Sequence, residues 1–357
     1  MIICCGEALI DMVQGDGYKP LPGGCPYNTA ITIGKLGIPV MFLGRFSTDF
    51  FGEALVKRLR DHGVKDDLMI RTSQNTTLAF VKTEKGKDPS YVFYAEGTAA
   101  CSLVPEDLPK KLPLDTHCIV FGSIAMTVEP VSSTIEALIV KENALQGIGK
   151  ESPVISYDPN VRPFMIKDKK AFIKHFEKCV AVSTIAKISA ADFEYIYPGL
   201  DLEKALLKII GMGPRLVIST QGSKGAVALL RRNDGSVVRA SSPAVILPVV
   251  DTIGAGDTFH GAFLSWLELR GLLSRSSIAS LTEEELHDAL LFANKAASLV
   301  CTKQGAEPPS LREISALKES KPSAKAVKSA ASSRAAPRKT AAVKKPSVKT
   351  PAAKKKK

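Results

Sequence analysis

The chain has 357 residues, 45% of them hydrophobic and 24% charged, with a formal net charge of +12. That composition excludes a wholly disordered chain and leaves room for one large α/β domain or two smaller ones. The charge is uneven: from residue 318 onward stand 14 Lys/Arg and one acid, Glu319, which leaves 34 bases against 35 acids before them.

"MIICCGEAL" opens the chain as a strand. Glu7 and Asp11 interrupt the apolar run and no basic segment precedes it, so a first strand is expected rather than a secretion signal. Asp11 is expected at the end of that strand, where a carboxylate either accepts from two hydroxyls, as a sugar presents them, or caps a turn. "LPGGCPYNTA" then sets Gly23 and Gly24 before a helix with Pro26 near its start and Asn28 in its first turn. Glycines let a ligand press against the backbone, and Asn28 offers a donor and an acceptor; a plain turn fits the same residues. The helix "PYNTAITIGKLG" stops on Gly37, followed by a strand at "VMFLGRF" and a helix at "FFGEALVKRLRDHG".

Residues 68–98 break the alternation, with two alternating segments around "EKGKDPS". They predict a β-hairpin in a small projecting sheet, either a lid or an ordinary edge hairpin, and residues about 12–22 are expected to join it. "HCIVFGSI", "VISYDP", "AKISA" and "RLVIST" are short, apolar and rich in branched residues, and helical patterns such as "VSSTIEALIVKENAL" and "KKAFIKHFEKCVAV" separate them. Strands spaced by helices predict a mainly parallel sheet covered on both faces, with ligands bound beyond its carboxyl ends.

"AKISAADFEYI" places Asp192 and Glu194 in the first turn of a helix, where acids either favour the dipole or help hold a hydrated magnesium ion. "VISTQGSKGAVAL" closes a strand on Ser219 and Thr220 and turns through Gly222 and Gly225. That turn is either a tight connection between paired strands or a seat for nucleotide phosphates. "DTIGAGDTFHGAF", residues 251–263, places an acid beside an anion-binding turn. Bare amides at a helix start attract phosphate. Asp257, expected at the first helical position, is placed to take the proton of an acceptor alcohol while Gly254, Ala255 and Gly256 hold the phosphate.

The seven cysteines are scattered, lack paired C-x-x-C spacing and sit mostly in apolar runs, which predicts reduced thiols and a cytoplasmic protein. No stretch is long and apolar enough to span a membrane. The final segment is Lys, Ala, Pro and Ser without apolar periodicity, so residues 318–357 are expected to be disordered and residues 1–317 to form the folded domain. Such a run either meets polyanions without reading sequence or is a solvated extension.

"DTIGAGDTFHGAF" and "PGGCPYNTAITIGKLG" resemble the C-terminal and N-terminal signatures of the ribokinase-like (PfkB) carbohydrate kinases, in the family's order. "GEALIDMV", "DPNVRP" and "FANKAASLVCTKQGAEPP" point toward its fructokinase branch, and the resemblance spans about residues 1–315. It implies a three-layer α/β sandwich with a small β-sheet lid, and transfer of the γ-phosphoryl group of ATP to a sugar hydroxyl. Fructose is the first candidate; 2-keto-3-deoxygluconate, ribose or a nucleoside are alternatives. A protein tethered to nucleic acid by its tail is a reading of another class. By resemblance Asp257 is the base and residues 254–256 the anion hole, while Asp11, Gly23, Gly24 and Asn28 grip the sugar and Arg162 lies near it. Thr220, Gly222 and Gly225 match the nucleotide loop, and Asn294 a residue beside adenosine. Asp251 and Ile253 fall where backbone oxygens hold a monovalent cation such as K⁺. Ser189 and Asp192 stand where many members carry Asn-x-x-Glu, a departure at the Mg²⁺ position, and "FYAEGTAACSL" lacks an arginine common in the lid region. A monomer or a homodimer fits equally.

Overall fold

The computed structural model describes residues 1–82, 90–144 and 152–317. The basic tail and most of the "EKGKDPS" turn lie outside the described residues.

The apolar opening run does not form one strand. β1 (Ile2–Cys5) ends at Gly6, and β2 (Leu9–Gln14) then pairs with β3 (Tyr18–Gly23) in a different sheet. The break is forced at Gly6, whose φ is 142° and whose ideal Cβ would lie 2.6 Å from Pro26 Cγ. Asp11 therefore sits inside β2, not at the end of the first strand. α1 (Cys25–Lys35) follows, then β4 (Val40–Ser47), and α2 (Phe50–Asp61), capped by Asp49. β5 (Val64–Lys65) and β6 (Met69–Thr72) both run parallel to β4. β7 (Leu78–Lys82) and β8 (Ser90–Tyr94) form the expected hairpin. The 68–98 segment is thus divided: its first strand extends the main sheet, and only the later two join β2 and β3 in a four-stranded sheet.

β9 (Cys118–Gly122) and α3 (Val131–Ala144) resume the alternation. β10 (Val154–Asp158), α4 (Lys169–Val182), β11 (Ile185–Ser189) and α5 (Ala190–Ile196) continue it. α6 (Leu202–Met212) and β12 (Leu216–Thr220) complete the parallel part. β13 (Ala226–Arg231) and β14 (Val237–Ser242) then fold back antiparallel at the edge. α7 (Ala255–Leu269), α8 (Arg275–Ala279), α9 (Glu283–Val300) and α10 (Leu311–Ala316) close the chain.

Among the described residues the main sheet has ten strands, in the order β14-β13-β12-β11-β10-β9-β1-β4-β5, with β6 also on β4. Side-chain alternation along its strands separates two cores. Ile2, Cys4, Val40 and Phe42 pack with α1, α2, α7 and α9, whereas Ile3, Cys5, Met41 and Leu43 pack with α3 and the apolar sides of α4 to α6. The expected three layers, with a separate small sheet, are the observed architecture. All seven cysteines are free thiols. Among the described residues no helix is long and apolar enough to cross a membrane.

Candidate active site

The parallel strands deliver their carboxyl ends to one edge of the sheet, and the N-termini of α1 and α7 meet there. Their approach is close because α7 carries Gly261 at the crossing, where a Cβ would lie 2.9 Å from both Thr29 O and Thr32 Cβ. Asn28 of α1 donates from Nδ2 to Asp257 Oδ2 at 2.8 Å. Two residues 229 positions apart thus share one buried hydrogen bond.

α7 begins earlier than its sequence suggests. Gly254, in the left-handed region at φ 75°, is its N-cap, so Asp257 is the third helical residue rather than the first. Only glycine suits that cap, since a Cβ would fall 2.5 Å from Ala306 Cβ. At the start of α1, Gly24 (φ 111°) passes close to Glu7, whose carboxylate accepts from Cys25 N and Ala125 N at 3.2 Å each. Burial pushes the Glu7 carboxyl up to about 7 in spite of those bonds.

A cleft of about 320 Å³ lies between these helix starts and the small sheet. It brings together Asp11, Gly24, Asn28, Arg162 and residues 253–257, all anticipated. Gly23 stands behind the lining and makes room for the Asp11 carboxylate. Residues 160 and 123 were not anticipated. Asn160, at φ 36°, donates weakly to Asp257 Oδ1 (3.5 Å), and its Oδ1 accepts from Arg162 Nη1 at 2.6 Å. A larger cleft of about 730 Å³ opens beside α3 and α4, but it contains neither the helix starts nor Asp257.

The electrostatics of the smaller cleft suit proton transfer. Asp257 is only 7% exposed. Burial raises its pKa, the nearby Asp158 adds to the rise, and Asn28, Cys25 and Lys187 oppose it. Burial likewise lifts the Asp11 carboxyl to about 6, with Arg162 pulling down and Asp257 pushing up. Beneath α7, Lys187 Nζ of β11 lies 2.7 Å from Asp158 Oδ2 of β10, both side chains almost fully buried. Cys25, Asp158 and Asp257 bring their ligand atoms within 4.8 Å of one another, the spacing of a metal site. Lys187 already supplies a cation there. The sequence carried a signal for this pair, because a lysine inside the apolar strand "AKISA" must find a buried partner.

Other expected residues lie elsewhere. Thr220 ends β12, and residues 222–225 make the tight turn into the antiparallel β13. A Cβ on Gly225 would fall 2.1 Å from Ser242 O, while Asn294 Nδ2 donates to Ser242 O at 3.0 Å and Pro243 O at 3.2 Å. The turn and α9 therefore converge on the end of β14, outside the cleft that holds Asp257. Asp251 accepts from Ile253 N (3.0 Å) and Gly305 N (2.9 Å), which ties two loops together.

Asp192 stands at the start of α5, bonded to its surroundings. Its Oδ1 accepts from Val161 N (2.8 Å) and its Oδ2 from Ser189 N and Oγ in a capping box, which leaves one acceptor site on Oδ1. The capping box makes Asp192 part of the helix start, and it is not among the residues lining the cleft that holds Asp257.

A family model described as pfkB family carbohydrate kinase matches residues 5–313. A fructokinase of Rhizobium leguminosarum bv. trifolii is 37% identical over 294 residues, covering 81% of this chain and 86% of that protein. A probable fructokinase-5 of Arabidopsis thaliana is 31% identical over 322 residues, covering 86% and 93%. Among solved structures, a fructokinase from Vibrio cholerae O395 in a fructose-, ADP- and calcium-bound form has a TM-score of 0.75 at 25% identity, covering 89% of this chain and 98% of its own.

Proposed function

The chain belongs to the pfkB family of carbohydrate kinases, and we propose that its substrates are fructose and ATP. As a carbohydrate kinase it transfers a phosphoryl group to a sugar hydroxyl. The fructokinase relatives support fructose as the acceptor. One observation carries the residue assignment: Asp257, held by Asn28 at the start of α7, faces the same cleft as Asp11 and Arg162.

In this reading Asp11 and Asn28 orient the sugar over Gly24, with Arg162 beside them. Asp257 accepts the proton of the attacking hydroxyl. The hydroxyl oxygen bonds to the γ-phosphorus as the bond from phosphorus to the bridging oxygen breaks, and ADP departs. First-turn amides of α7, at residues 254–256, stabilise the charge on the transferring group. Residues 220–225 and Asn294 frame the nucleotide. Magnesium would offset the charge of the nucleotide's phosphates, with Asp192 the residue proposed to help hold it through a bound water. K⁺ bound near the backbone of Asp251 and Ile253 is part of the same proposal, tested by comparing rates in K⁺ and Na⁺.

We assign the kinase domain to residues 1–317 and a non-specific polyanion contact to residues 318–357, on the strength of the tail's charge. The free thiols support a reducing, cytoplasmic setting.

The test is Asp257→Asn in an ADP-release assay. Its kcat falls by about 10²–10⁴ while fructose and ATP still bind. Turnover at the wild-type rate removes Asp257 from the role of base. A parallel screen over fructose, 2-keto-3-deoxygluconate, ribose and nucleosides tests the acceptor, and silence on fructose overturns that choice.

A further inference from the structure

Lys187 sits where a lysine is costly. Strand alternation puts it with Ile185 on the α7 side of the sheet, and it puts Ser156 and Asp158 with Val154 on that same side. The side chains of Lys187 and Asp158 are 4% and 1% exposed. A buried ion pair of this kind is weak grounds for stability, because desolvation offsets much of the attraction. Its location explains more. An ideal Cβ on Gly256 would lie 3.2 Å from Lys187 Nζ, so the ammonium lies directly under the first turn of α7. Asp158 and Asp257 approach within 4.8 Å of each other in this water-poor space. Two carboxylates so placed compete for one proton unless a cation intervenes.

We propose that Lys187 is a positioning residue for phosphoryl transfer: its ammonium neutralises Asp158 beneath α7, so that Asp158 does not compete with Asp257 for the acceptor's proton. This inference rests on the reading of Asp257 as the base.

The other groups around Asp257 leave that task to Lys187. Asn28, from α1, is a neutral donor to it. Burial holds the Cys25 thiol well above its ordinary range, so it stays protonated. Asp11, from β2, is countered by Arg162. His260, on α7 itself, is driven down to about 3 by burial and by Lys187, and stays neutral with Nε2 2.7 Å from Ser156 Oγ. Glu7 and Asp192 lie one layer back, bonded to the backbone at Cys25 and Val161.

The test is the pH profile of kcat/KM for the full chain, with fructose and ATP. Lys187→Met leaves Asp158 facing Asp257, so the acidic limb moves up by about 1–3 units, and activity lost at pH 7 returns at alkaline pH. Asp158→Asn leaves the ammonium facing Asp257, so the limb moves down. The double variant returns toward wild type, and Lys187→Arg keeps the wild-type limb. Opposite shifts from the two single variants are beyond a purely structural role. If Lys187→Met does not fold, the direction of the Asp158→Asn shift decides alone. Limbs that stay at the wild-type position overturn the inference. Asp257→Asn is the control: activity retained there overturns the assignment of the base, whereas an inactive Asp257→Asn with unshifted limbs overturns only the role of Lys187.

Discussion

Gly23 leaves empty the space that the Asp11 carboxylate fills: a Cβ at residue 23 would lie 2.2 Å from Asp11 Oδ2. The two residues are diagonal neighbours across the β2–β3 hairpin, where Leu9 pairs with Gly23 and Asp11 with Leu21. Gly23→Ala therefore pushes Asp11 out of its position in the cleft. We expect KM for the sugar to rise about tenfold or more with a smaller change in kcat, measured by steady-state kinetics, since ground-state binding is what the shift disturbs.

The Asn28–Asp257 bond gives a second expectation. Asn28→Leu removes a donor to a buried carboxylate, a loss of about 1.5–3 kcal/mol. If that bond orients the base, kcat falls by about 10- to 100-fold, and nucleotide affinity is retained in an equilibrium binding measurement.

Acid should act on sugar binding before it unfolds the protein. With its carboxyl at about 6, Asp11 is an anion above that pH and gains a proton below it. A protonated Asp11 accepts fewer hydroxyl hydrogen bonds, so KM for the sugar should climb as pH falls from 7 to 5. Asp11→Asn should flatten that dependence.

Gly254→Ala tests the start of α7. A non-glycine residue in the left-handed region costs about 1–2 kcal/mol, and the new Cβ meets Ala306 at 2.5 Å. Thermal melting should drop by a few degrees, on the order of 2–4 °C per kcal/mol for a domain of about this size. On the proposed role of residues 254–256 in holding the phosphate, the rate should fall further than the stability loss explains.

Truncation after Leu317 removes 14 basic residues and one acid. Retention on immobilised DNA should weaken in the truncated chain, most at low salt, while kcat and KM stay within about twofold. Equal retention of both chains across a salt series would remove the tail from any polyanion contact.

Much of this protein was legible in local pattern. Branched apolar strands between helical segments announced the layered sheet, and the glycine signatures announced the two helix starts that frame the cleft. The failures were of placement. Asp11 belonged to a second sheet because Gly6 breaks the opening run, and residues 69–72 joined the main sheet instead of the hairpin. The bond from Val161 to Asp192, which the sequence does not announce, joins two segments distant in the chain.

Periodicity, turn chemistry and the imbalance of charge in the tail are properties of neighbouring residues, so the order of amino acids settles them alone. Which buried charges face one another is not local. Lys187 meets Asp158 because β10 and β11 are neighbours in the sheet, and Asn28 meets Asp257 because Gly261 lets two helices cross closely. In a low-dielectric interior such encounters set the cost of each buried charge, and they exist only after the chain has folded.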